Sequence, residues 1–96
     1  MDTISERLKF IRNEKRFSQA ELANLLDITK QAVANVEIGR NNPSIDFISK
    51  LIENLNVNAN WLIAGVGKPF NPPKFEDIED ELTLKVESLL KKHNLI

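Results

Sequence analysis

The 96-residue chain has no cysteine, which removes disulfides and thiolate metal sites and suits a reducing, cytoplasmic setting. Histidine occurs once, at His93; a lone imidazole near a helix end complements the negative pole there and makes no metal site. Long apolar runs are missing. The opening MDTISERLKF carries charges within its first turns, so it is read as neither a secretory signal nor a membrane span. An excess of charge is missing too, the net being −1, and any basic surface must come from local arrangement. Residues 1–65 hold eight basic and eight acidic side chains and residues 66–96 hold five and six, so neither part is polarised.

Catalytic and cofactor motifs are absent on inspection. Gly65-Val66-Gly67-Lys68 resembles part of a phosphate loop, but Leu62 and Pro69 stand where that loop needs Gly and Ser or Thr. The acidic cluster from Glu76 to Glu81 lacks the ligand spacing and the glycine of a calcium loop and reads as a solvated helix start. No cofactor and no enzymatic activity are expected.

What the chain does have is helical punctuation. Thr3 and Glu6 stand at capping-box spacing before Ile4, Leu8 and Ile11, which predicts a first helix from Ile4 to Lys15. Ser18 and Glu21 repeat that spacing before a stripe of Ala20, Leu22, Ala23 and Leu26, a second helix over 19–26. After Asp27-Ile28, Thr29 caps a third helix over 30–38, with Val33 and Val36 facing inward and Gly39 ending it. Ser44 caps a fourth helix whose expected apolar face is Ile45, Ile48, Leu51, Ile52 and Leu55, ended by Asn56. Asn58 caps a brief fifth helix holding Trp61 and Leu62, closed by Gly65. With 42% apolar residues the chain can bury one compact core. The reading is all-α: a five-helix domain over 1–65, a Gly/Pro-rich linker over 66–75, and a C-terminal helix over 76–96.

Two short helices joined by a tight turn, the later one apolar on one side and polar on the other, are what a major-groove reader needs. Lys30, Gln31, Ala32, Ala34 and Asn35 fall on or near the exposed side of the third helix. Glutamine and asparagine can pair bidentately with adenine, lysine with guanine or phosphate, and a small alanine leaves room for a thymine methyl.

SQAELANLLDITKQAVANVEIGRNNPS resembles the helix-turn-helix of the Cro and phage-repressor family, including its Gln-Ala-Glu-Leu-Ala run and Glu-x-Gly close, over about residues 4–65. The resemblance implies a lambda-repressor-like fold. It also implies that Gln19 contacts a phosphate and braces the reading helix, that Thr29, Lys30, Gln31, Ala32 and Asn35 line the DNA contact, and that Arg40, Asn41 and Asn42 touch the DNA backbone. Arg12 and Glu37 match a pair that forms an internal salt bridge. The family often has glycine where this chain has Arg16 and Asp27, and a left-handed arginine costs roughly 1 to 2 kcal/mol.

The expectation is therefore a repressor-type transcriptional regulator that binds a palindromic operator in double-stranded DNA as a homodimer. The alternative is an antitoxin or other protein-interaction module whose C-terminal helix engages a protein partner. Trp61 and the seam Leu82, Val86 and Leu89, spaced like a coiled coil, are competing candidates for the dimer contact.

Overall fold

The structure, a computed structural model, describes residues 1–73. It contains α1 (Ile4–Glu14), α2 (Gln19–Leu25), α3 (Lys30–Glu37), α4 (Ile45–Leu55) and α5 (Ala59–Ala64). Each begins on a residue whose side chain accepts from the first-turn backbone, so one orphan N–H is satisfied per helix: Thr3, Ser18, Thr29, Ser44 and Asn58. Only Ser18 completes the reciprocal box, its own N–H donating to Glu21 at 3.0 Å. At α1 the Glu6 carboxylate instead accepts from the Thr3 hydroxyl, at 3.0 Å.

The first three helices close in the same way. The residue after each cap, Arg16, Asp27 or Gly39, is left-handed with φ of 59°, 53° and 80°. In each case the next amide reaches back to the carbonyl of the helix's third-last residue: Phe17 to Arg12 at 3.1 Å, Ile28 to Ala23 at 2.9 Å, and Arg40 to Asn35 at 2.9 Å. This is the Schellman closure. At α1 and α2 the donating residues, Phe17 and Ile28, also turn their side chains onto the core, which fixes how the chain leaves each helix.

That core is built from Leu8, Ile11, Leu22, Leu26, Val33, Leu51, Val57 and Leu62, all essentially fully buried, with Val36, Phe47 and Trp61 around them. Three positions differ from the sequence expectation. Ile45 is 84% exposed and Phe47 is buried: at roughly 100° per residue Ile45 lies about 120° around α4 from Leu51, whereas Phe47 lies within about 40° of it. Ala20 is likewise exposed on α2.

Part of the Gly/Pro-rich stretch returns to the domain. Val57 and Phe70 form an isolated antiparallel bridge, Asn58 N–H donates to Pro69 O and Asn71 N–H to Asn56 O, each at 2.9 Å. Side chains add to the seam, Asn58 Nδ2 donating to Lys68 O at 3.0 Å and Asn71 Nδ2 to Val57 O at 3.2 Å. Gly67 is required there, since its φ is +86° and a Cβ would stand 3.0 Å from Asn58 Nδ2. Phe70 then packs on the core, with Lys15 Nζ 4.5 Å from its ring centroid. The expected C-terminal helix over 76–96 lies outside the described residues.

Candidate nucleic-acid interface

The helix that offers the polar face is α3. Val33 and Val36 are buried beneath it, which turns Lys30 and Gln31 outward and leaves Ala32, Ala34 and Asn35 half-exposed. Thr29, the exposed cap, accepts from Ala32 N–H at 3.1 Å and so is fixed at the same end of the helix. Gln31 Nε2 donates to Asn35 Oδ1 at 2.9 Å, joining the two amides four residues apart. The exposed loop residues Arg40 and Asn41 are tied to the same helix, both backbone amides donating to the Asn35 carbonyl, at 2.9 and 3.2 Å. Gly39, left-handed at φ +80°, makes that turn possible without the strain of a Cβ. Asn42 is exposed in the same loop.

The far end of α3 is held by a charged network. Arg12 donates to Glu37 through both Nε, 2.7 Å from Oε2, and Nη2, 2.9 Å from Oε1, a bidentate fork. Its Nη1 donates to Phe17 O at 2.9 Å, tying the α1–α2 turn into the same guanidinium. Gln19 Nε2 adds a third donor to Glu37 Oε1, at 3.3 Å. The hydrogen bond with Glu37 holds the Arg12 guanidinium above its ordinary pKa, against the opposing effect of burial. Three segments, α1, the start of α2 and the end of α3, thus converge on one carboxylate only 3% exposed.

Trp61, a candidate for a dimer contact, is 7% exposed and spent within its own domain; its ring lies 5.7 Å from Phe10, tilted by 55°. The apolar side chains left outward near it are Ile63 and Val66, 55% and 62% exposed. Leu82, Val86 and Leu89 lie outside the described residues.

Sequence reasoning passed over Arg7. It is buried at 6% exposure and donates to three carbonyls, Leu62 O at 2.7 Å, Ile63 O at 3.0 Å and Met1 O at 3.1 Å. It therefore caps the C-terminal end of α5 from α1, where a cation also suits the helix dipole. The signal was its place in the helical stripe Ile4, Arg7, Leu8, Ile11. Among the described residues no group of three or more His, Cys, Asp or Glu side chains is placed to hold a metal ion, and no helix is long and apolar enough to cross a membrane.

A family model described as helix-turn-helix matches residues 8–62 of the chain. A prophage-derived, uncharacterised HTH-type transcriptional regulator, YonR of Bacillus subtilis (strain 168), is 33% identical over 89 residues, covering 93% of this chain and 76% of that protein. Among solved structures, the N-terminal DNA-binding domain of SinR from Bacillus subtilis is 33% identical with a TM-score of 0.58, over 65% of this chain and 91% of that one. A transcriptional regulator from Listeria innocua shares the fold, with a TM-score of 0.60 at 18% identity over 93% of this chain and 94% of its own.

Proposed function

The chain belongs to the helix-turn-helix family, and from that premise we propose that it is a DNA-binding transcription regulator of the repressor type, occluding a promoter by binding a palindromic operator as a homodimer. The observation that carries this reading is the outward face of α3, where Lys30, Gln31 and Asn35 stand over buried Val33 and Val36. Lys30, Gln31 and Asn35 supply base contacts, with Thr29 and Ala32 lining the same end of the helix. Gln19, Arg40, Asn41 and Asn42 supply backbone contacts that set its register. The Arg12, Gln19 and Glu37 network supports this by holding α3 at a fixed angle to α1 and α2. One reading helix covers few base pairs, so two-fold pairing, with half-sites one helical turn apart, is what gives specificity.

Selection of bound sites from random duplex DNA at moderate salt tests the reading. An enriched inverted repeat is expected, and Arg40→Ala should weaken binding to every duplex while lowering the salt slope by about one unit. If no sequence is enriched, the near-zero net charge favours the protein-interaction module instead.

A further inference from the structure

We propose that Gln31 and Asn35 read DNA as one unit, with Gln31 on an adenine and Asn35 as the positioning residue that sets which way the Gln31 amide faces. This rests on the DNA-reading function proposed above. A free glutamine amide has nearly the same outline in two orientations that exchange its donor and acceptor. One orientation complements adenine's major-groove edge, a donor at N6 beside an acceptor at N7, and the other does not.

The hydrogen bond within α3 ties the two amides together, so that Gln31 cannot turn over unless Asn35 turns with it. Asn35 Oδ1 lies 2.9 Å from Gln31 Nε2, and only the nitrogen end of the Gln31 amide can donate to it. Gln31 is left with Oε1 to accept and one N–H to give, which is the adenine complement. Asn35 has part of its acceptor capacity engaged, so what it offers outward is weighted to its two Nδ2 N–H groups, suited to a phosphate or a base carbonyl. The backbone that carries Asn35 is anchored. Asn35 lies on a turn whose neighbours Val33 and Val36 are buried, and its own carbonyl holds the Arg40 and Asn41 amides. Two independent readers would each specify a base pair of their own, whereas a coupled pair loses preference at the same base pair when either member is changed.

The test uses full-length wild-type protein, Gln31→Ala, Asn35→Ala and Asn35→Asp. Relative affinities are measured for all four bases at every position of the selected site. The position at which Gln31→Ala abolishes preference identifies its base pair, and adenine is expected there. Asn35→Ala should narrow that same preference by about 1.4- to 2.3-fold, the worth of an amide pair at this spacing on a solvated helix. Asn35→Asp keeps an acceptor oxygen at equal reach, so it should restore the adenine preference while its charge weakens all duplexes alike. Thermal melting of each variant checks that the domain is intact. Loss of preference by Asn35→Ala only at a different base pair, a non-adenine preference at the Gln31 position, or failure of Asn35→Asp to restore it overturns the coupling and leaves the DNA-reading function standing. A wild-type protein that enriches no site overturns the function itself.

Discussion

Arg16 holds φ at +59° with a Cβ in place, a region that costs an ordinary residue roughly 1 to 2 kcal/mol. Asp27 and Asn56 share that geometry, but their short polar side chains tolerate it. Arg16→Gly is therefore expected to stabilise the protein by about 1 kcal/mol, after the greater freedom of glycine in the unfolded chain is offset. That corresponds to about 4 to 8 °C in thermal midpoint for a domain of this size, read by circular dichroism; a lower midpoint would show that the arginine side chain stabilises the turn by more than its backbone strains it. The Arg12 and Glu37 pair calls for a different measurement. Removing Arg12 leaves a carboxylate 3% exposed with only the Gln19 amide for company, so Arg12→Ala should cost about 3 kcal/mol. Adding Glu37→Ala should make the loss milder, and a double variant no better than the single one would deny the coupling. The pairing partners were legible because the family resemblance carried them residue by residue. Arg7 was not, because charged side chains are normally read as surface and two of its three partners are carbonyls 55 and 56 positions away, which no local spacing announces.

At the scale of elements, the helix starts were legible because a cap is a contact over three residues or fewer, as at Ser18 and Thr29. The stops were legible for a similar reason, each depending on a few residues around one left-handed position. The α4 face was not, because Ile45 and Phe47 both fit an apolar stripe and only the packing of the other helices chooses its phase. Phe47→Ala should accordingly cost about 3 kcal/mol or more, while Ile45→Ser, at 84% exposure, should stay within about 0.5 kcal/mol; urea melts of the two variants decide it. The return of Pro69 to Asn71 onto the α4–α5 turn also escaped, since prolines and glycines mark the end of a helix but not where the chain goes next. A pH dependence belongs to α2. Glu21 lies below its ordinary pKa because the Ser18 backbone N–H and then its hydroxyl favour the carboxylate. A depressed folded value means that this stabilisation is present above the ordinary glutamate range and is lost as pH falls through the lowered folded value. Glu21→Gln should therefore remove a small acid-side slope from the stability profile, and an unchanged slope would take the box out of the titration.

For the molecule as a whole, the proposed homodimer raises the question of where a second copy sits. A net charge of −1 gives little long-range pull toward DNA, so in the proposed dimer affinity comes from paired reading helices and the contacts that align them. With Trp61 turned inward, the outward apolar groups of the domain include Ile63, Val66 and Met1, and Arg7 joins two of these by bonding both Met1 O and Ile63 O. The segment beyond offers Leu82, Val86 and Leu89 at coiled-coil spacing. The hydrogen-bonded return ends at Asn71 and Pro72, both accepting from Asn56 Nδ2, so a cut after Pro73 spares it. Sedimentation equilibrium should then find the full chain dimeric and the truncated chain shifted to monomer. Operator affinity should fall while the thermal midpoint stays close to the original, because the core found among the described residues is closed by helices that precede the cut. A truncated protein that remains dimeric would move the contact to Ile63 and Val66, where Ile63→Asp would then be the change that separates the copies. A truncated protein that unfolds would make residues 74–96 part of the domain's own stability rather than of its assembly.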